Sequence, residues 1–154
     1  MSIPTIRPFL WFGQNAEAAA NLYVSIFKNS KVTHVSRRGP KGPVMSVNFR
    51  LEGQDFIALN GGAHFHFTPA ISLYVDCQGQ AEVDRLWKKL LQGGKASRCG
   101  WLEDKYGLSW QIIPDVLGKV LGSKDPKKAG AAMAAMMQMV KLDVKKLQAA
   151  HDQA

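Results

Sequence analysis

Three polar side chains stand where their type and spacing allow chemistry. His64 and His66 are two residues apart in the glycine-led stretch Asn60-Gly-Gly-Ala-His-Phe-His-Phe67. In extended chain both project to one side, a spacing that can chelate a metal. A third ligand has to arrive from elsewhere, and Gln111, Cys99, Glu103 and Asp76 are the candidates. Alternatively both histidines are semi-exposed at a loop or strand entrance. Gln111 lies in CGWLEDKYGLSWQIIP, residues 99–114, which reads as two strands and a turn. Asp104-Lys-Tyr-Gly107 supplies the turn, because Asp bonds its own backbone and Gly accepts positive φ. Beyond it Leu108, Trp110 and Ile112 alternate with Ser109, Gln111 and Ile113, so one face is apolar and the other presents Gln111. A polar group facing inward from a strand needs a hydrogen-bond partner or a ligand. Cys99 with either histidine would make a thiolate pair, but no local signature accompanies it, and a buried inert thiol competes with that reading.

The elements that must carry these residues follow from periodicity. Residues 6–12 form a short apolar strand, after which Asn15 caps a helix to Phe27. In that helix Ala19, Leu22, Tyr23, Ile26 and Phe27 fall on one stripe. Strands follow over 32–37, 44–51 and 55–59, separated by the stiff basic loop Gly39-Pro-Lys-Gly-Pro43 and the tight turn Glu52-Gly-Gln54. The order then recurs: an apolar strand over 71–77, a helix over 80–91 with Val83, Leu86, Trp87, Leu90 and Leu91 on one stripe, then strands over 96–103 and 108–113. A repeat of about 65 residues is too long for a solenoid and points to two copies of one supersecondary module. The tail is helical: a short helix over 115–122, a longer one capped by Asp125 with Pro126 first and running to about Val140, and a last one capped by Asp143. Met133, Met136, Met137 and Val140 form a stripe on it, the pattern of core or a subunit interface.

Composition narrows the function classes. A chain of 154 residues with 46% hydrophobic and 21% charged residues has the balance of a soluble globular domain. No run of roughly 18 apolar residues exists and MSIPTIRP has no apolar signal core, so we expect a cytoplasmic protein without a membrane segment. Cys77 and Cys99 cannot build a disulfide framework or a four-cysteine zinc site. The net charge of +8 is spread from Arg7 to Lys146 without a recognition motif, which argues against nucleic acid as partner. Gly61-Gly62 has the spacing of neither the P-loop nor the dinucleotide fingerprint, and no strand-to-helix turn is glycine-rich in the Rossmann manner.

WFGQNAEAAANLYVSIF, GQDFIALNGGAHFHF, AISLYVDC and CGWLEDKYGLSWQIIP, followed by the alanine- and methionine-rich tail, resemble the PhnB-like proteins. These belong to the vicinal-oxygen-chelate (glyoxalase/bleomycin-resistance/dioxygenase) superfamily and often carry the label 3-demethylubiquinone-9 3-methyltransferase. The resemblance implies an α+β glyoxalase-like fold: two βαβββ modules, about 4–62 and 68–115, forming a cupped sheet in one domain, with a helical tail over about 116–154. It also implies a homodimer. Metal enzymes of the superfamily place ligands on the first, fourth, fifth and eighth strands. Here those positions fall near Pro8 or Phe9, at Leu59 or Asn60, near Ala70, and at Gln111, so only Asn60 and Gln111 offer an oxygen. We therefore expect a cytoplasmic small-molecule binder without the usual metal centre, its cup walled by Asn60, His64, His66, Cys99, Trp101 and Gln111. Trp101 and Tyr106 would stack on a planar ligand while Gln111 and Asn60 fix its polar edge; Trp101 as plain core is the competing reading. The other class is an enzyme of the same fold, either metal-dependent through His64 and His66 or methyl-transferring as the label says. No nucleotide or methyl-donor motif accompanies the label. A scaffold assembling through the Met-lined tail is the third.

Overall fold

The computed structural model describes residues 5–154. The chain packs as two units, one ending at Phe67 and the other running from Thr68 to Ala154.

In the first unit, β1 (Phe9–Phe12) leads into α1 (Ala16–Ile26), followed by β2 (Lys31–Arg37), β3 (Val44–Leu51) and β4 (Gln54–Asn60). The sheet order is β1-β4-β3-β2, with β1 parallel to β4 and the other neighbours antiparallel. Strand alternation decides what α1 covers. Val47, Phe49, Leu51, Phe56, Ala58, Leu10 and Phe12 are buried, and Ala16, Ala19, Ala20, Tyr23 and Ile26 of α1 are buried with them. Tyr23 and Phe49 meet with ring centroids 6.1 Å apart, and Phe49 stacks on Phe56 at 5.1 Å. The opposite face is polar at one end, where the cross-strand pair Arg50 and Asp55 bonds at 2.6 and 3.1 Å.

The second unit repeats the order. β5 (Leu73–Cys77) precedes α2 (Gln80–Leu91), then β6 (Lys95–Ala96), β7 (Trp101–Glu103) and β8 (Ser109–Pro114), in the sheet order β5-β8-β7-β6. β5 is parallel to β8, again as in the first unit. Val83, Leu86, Trp87 and Leu90 of α2 are buried together with Leu102, Trp110 and Ile112 of the sheet. Gly79 precedes α2 at φ 84°, a left-handed conformation that glycine adopts without a Cβ penalty.

Three tail helices complete this unit: α3 (Val116–Leu121), α4 (Pro126–Met137) and α5 (Val144–Asp152). They bury Leu117, Val120, Ala132, Leu142 and Leu147 in one cluster with Ile113 of β8. Asp125 and Asp143 cap α4 and α5, accepting from the backbone N–H of Lys127 and Lys146. Gln80 ties the tail to α2. Its Oε1 accepts from Val144 N at 2.7 Å and its Nε2 donates to the Leu142 carbonyl at 3.0 Å. A Lys141–Asp84 ion pair at 2.7 Å lies beside it.

Several boundaries differ from expectation. The first strand begins at Phe9 rather than residue 6, the fifth at Leu73, and α4 stops at Met137 rather than near Val140. The strand expected over 96–103 is broken at 97–100, because Cys99 and Gly100 take φ of 58° and 85° and donate their N–H groups to the Met139 and Val140 carbonyls. Asn15 precedes α1 but makes no side-chain cap bond. That bond comes from Asn60, which lies far along the chain. The Met stripe divides: Met136 packs on the tail cluster, while Met133, Met137 and Val140 are exposed.

Candidate functional site

In the second unit, the sheet face opposite α2 carries the candidate side chains Tyr74, Gln111 and Trp101. In the register of β5, β8 and β7, Tyr74 stands opposite Gln111 and Gln111 opposite Trp101. Directly paired residues lie on one face, so the three form a row across the sheet. Tyr74 is 55% exposed, and Gln111 and Trp101 are half-buried. Gln111 Nε2 donates to Ser72 Oγ at 3.0 Å, which fixes the amide plane. Its Oε1 accepts no hydrogen bond among the described residues, and neither does the Trp101 indole N–H donate one. Partial burial, with Asp76 and Cys77 nearby, pushes the Tyr74 phenol up from its ordinary value, so it is a neutral donor at physiological pH. The row thus offers an acceptor, two donors and an indole face.

The hairpin behind this row is held by Asp104, which is only 2% exposed. Its Oδ1 accepts from Tyr106 N at 2.8 Å and Leu108 N at 3.1 Å, and its Oδ2 accepts from Trp110 Nε1 at 2.9 Å. The turn residue therefore sets where β7 and β8 pair, and with them the positions of Trp101 and Gln111. Ser72 and Tyr74 escaped sequence reasoning because 71–77 reads as a plain apolar strand. The alternation of Ser72, Tyr74 and Asp76 with Leu73, Val75 and Cys77 is the signal that identifies them.

The remaining expected site residues are placed elsewhere. Cys99 sits before β7 in the bend that meets the tail, and its Sγ lies 3.8 Å from Met137 Sδ. In the first unit, both ends of the Asn60 amide are engaged: Oδ1 accepts from Ala16 N at 2.9 Å and Nδ2 donates to the Val44 carbonyl at 3.0 Å. His64 and His66 are exposed, and His64 falls in a turn rather than in extended chain. Phe65 between them packs edge-on against Trp11, centroids 4.9 Å apart, while Trp11 Nε1 donates to the Gly62 carbonyl at 3.0 Å. Tyr106, half-buried, lies in the Asp104 turn beneath Lys105, whose ammonium is 5.3 Å from its ring.

The same geometry tests the metal positions strand by strand. The residue of β4 in register with Trp11 of β1 and Ser46 of β3 is Leu59, which has no donor atom. Phe9 of β1 has none either, and Ala70 lies in a turn before β5. Among the described residues no three His, Cys, Asp or Glu side chains gather as a metal-holding group. The donor set that a glyoxalase-type metal requires is thus reduced to the amide oxygen of Gln111.

Residues 4–113 match the model of the family described as 3-demethylubiquinone-9 3-methyltransferase. The PhnB protein from Bacillus cereus is 37% identical, with a TM-score of 0.68 over 72% of this chain and 99% of that one. Protein PA1353 from Pseudomonas aeruginosa shares the fold at 17% identity, with a TM-score of 0.62 over 73% of this chain and 98% of its own. The fosfomycin resistance protein FosX from Listeria monocytogenes, solved with manganese(II) and sulfate, shares it at 16% identity and a TM-score of 0.51, over 71% and 90%. No curated protein matches the chain. No helix of the described residues is long and apolar enough to cross a membrane. The repeated strand-helix-strands order, the family match and the Bacillus relative lead to one assignment: the chain belongs to the 3-demethylubiquinone-9 3-methyltransferase family of PhnB-like proteins.

Proposed function

We propose that this protein is a small-molecule-binding member of its family, working in the cytoplasm as a homodimer, and that it holds a planar polar ligand on the open face of the second sheet without a metal. The observation that carries this reading is the row Tyr74, Gln111 and Trp101, with the Gln111 amide oriented by Ser72. A ligand ring stacks on the Trp101 indole, a donor on the ligand meets Gln111 Oε1, and an acceptor meets the Tyr74 phenol. Fixing the amide in advance lowers the ordering cost of binding.

The metal that the superfamily brings to mind does not suit the residues present, since the four ligand positions supply only Gln111 as an available oxygen. The methyl donor implied by the family name fits no better. The N-terminal amide of α1 that would face an anionic or ribose group is already bonded to Asn60 Oδ1. Glu17, the acid in the first turn of α1, is paired with Arg37 at 3.5 Å.

Tryptophan fluorescence against a panel of small aromatic metabolites and antibiotics tests the reading. Of the four tryptophans, Trp87 and Trp110 are buried and Trp11 is half-buried against Phe65 of the first unit, so a response at the row should vanish in Trp101→Phe and survive in Trp11→Phe. Gln111→Leu should weaken any hit by about tenfold, the scale of one well-placed hydrogen bond. A wild-type protein silent to the whole panel would refute the proposal. Light scattering on the full chain reads the dimer, and a dimer lost on truncation after Ser123 with no ligand response would favour the scaffold reading instead.

A further inference from the structure

We infer that the first unit holds a separate binding site for a small organic acid, at the end of its sheet where α1 begins. A cavity of about 690 Å³ opens there between the β1–α1 turn, the loop joining β2 to β3, and the end of β4 with Gly61 and Gly62 beyond it. That volume lies within the roughly 300–1,000 Å³ of small-molecule sites. None of its walls belongs to the Tyr74–Gln111–Trp101 row, so the two sites stand or fall independently.

The polarity of the walls defines the ligand. Val44, Met45 and Leu59 form the apolar side. On the polar side Asn60 is spent on Ala16 and Val44, and the N–H groups of Gly61 and Gly62 are spent on the Phe12 and Gly13 carbonyls. Two lining side chains remain uncommitted among the described residues: the Arg38 guanidinium, which enters no ion pair or side-chain hydrogen bond, and the Gln14 amide. The lone lining acid, Glu17, is partly neutralised by Arg37. A free guanidinium beside an apolar wall suits a carboxylate on an apolar body, bound by paired charge-assisted hydrogen bonds with Gln14 as an added donor.

The loop that presents Arg38 is closed by backbone hydrogen bonds. Arg38 N donates to the Pro43 carbonyl at 3.0 Å and Gly42 N to the Gly39 carbonyl at 3.1 Å. A Cβ on Gly42 would strike the Arg38 carbonyl, so the tight return of this loop requires glycine there. The backbone of Arg38 is therefore anchored at the rim of the cavity, with its side chain among those lining it.

The test is a titration of the full-length, ¹⁵N-labelled protein with 2-naphthoate, following backbone amides by NMR. Saturable shifts should appear at Gln14, Glu17, Val44, Met45, Gly61 and Gly62. The neutral 2-naphthamide should bind at least about tenfold more weakly, and Arg38→Met should cost a similar factor, as expected for a charge-assisted pair. Because Glu17 opposes an anion, Glu17→Gln should tighten binding by about threefold, and Arg37→Met, which frees Glu17, should weaken it. Arg38 is exposed and the Glu17 side chain is 41% exposed, so neither substitution opens a hole in the core. No saturable shift at the cavity, equal affinity for the acid and the amide, or weaker binding by Glu17→Gln would each overturn the inference.

Discussion

Replacing Asp104 should undo the hairpin on which the second-sheet site is built. Its carboxylate accepts from two backbone N–H groups and one indole N–H, and Leu108 and Trp110 are each only 1% exposed. Asp104→Ala leaves the Leu108 and Trp110 donors buried without this acceptor, at about 1–3 kcal/mol each, while Tyr106 N lies nearer solvent and recovers water. We expect a loss of about 4 kcal/mol, a large share of the roughly 5–15 kcal/mol that holds a domain together. Asp104→Asn keeps Oδ1 for the two backbone donors but turns an N–H₂ toward the indole N–H, so about 2 kcal/mol is expected. Urea denaturation monitored by circular dichroism reads both losses as shifts of the midpoint at constant slope. In the Asn background Trp110→Phe removes the facing donor, so it should cost less there than in the wild type, a coupling that a double-mutant cycle isolates. An alanine variant within about 1 kcal/mol of wild type, or additive effects of Asn and Phe, would refute the role assigned to this carboxylate.

Three further outcomes follow from the same geometry. Burial pushes the Cys77 thiol up to about 12, with Glu82 adding to it, so Cys77 should resist alkylation at pH 8 while half-buried Cys99 reacts; mass spectrometry should find one label on the native chain and two in guanidinium, and rapid double labelling of the native chain would contradict it. The hydrogen bond and charge of Arg50 hold the Asp55 carboxyl below its ordinary value, so its stabilising effect is present above the usual carboxylate range near pH 4 and is lost as pH falls through the lowered value. Asp55→Asn should thus lower Tm at pH 7 and hardly change it near pH 2; an equal loss at both would show that the charge is irrelevant. Leu142→Ala, at a position with no exposed surface in the tail cluster, should cost about 3 kcal/mol in denaturant, and a loss under about 1 would mean that the tail is not packed as described.

Much of the fold was readable because its signals are local. The apolar stripes of α1 and α2, and the caps at Asp125 and Asp143, are set by residues a few positions apart; the caps form as expected and the stripes nearly so, with Leu22 and Leu91 half-buried and Ala16 and Ala20 buried in addition. The misreadings involve partners distant in sequence. Asn15 has the right chemistry for a cap, but Asn60 takes the Ala16 N–H from a separation of 44 residues. The strand expected through Cys99 breaks because tail carbonyls at Met139 and Val140 claim its N–H groups. The site behaves likewise. Gln111 was identifiable from alternation beside a turn, whereas its partners Ser72 and Tyr74 are brought to it only by the parallel pairing of β5 with β8, a register that no short window of sequence encodes.

The Tyr74–Gln111–Trp101 face is proposed to bind a small molecule without a metal. The most direct measurement follows two side-chain NMR signals, the Gln111 amide and the Trp101 indole N–H, while a panel of planar polar fragments is titrated into the full-length protein with and without EDTA. At least one fragment should shift both signals saturably and unchanged by the chelator, and in Gln111→Leu about tenfold more of it should be needed to shift the Trp101 indole signal. A panel that moves neither signal, or shifts that disappear with EDTA, would contradict the proposal.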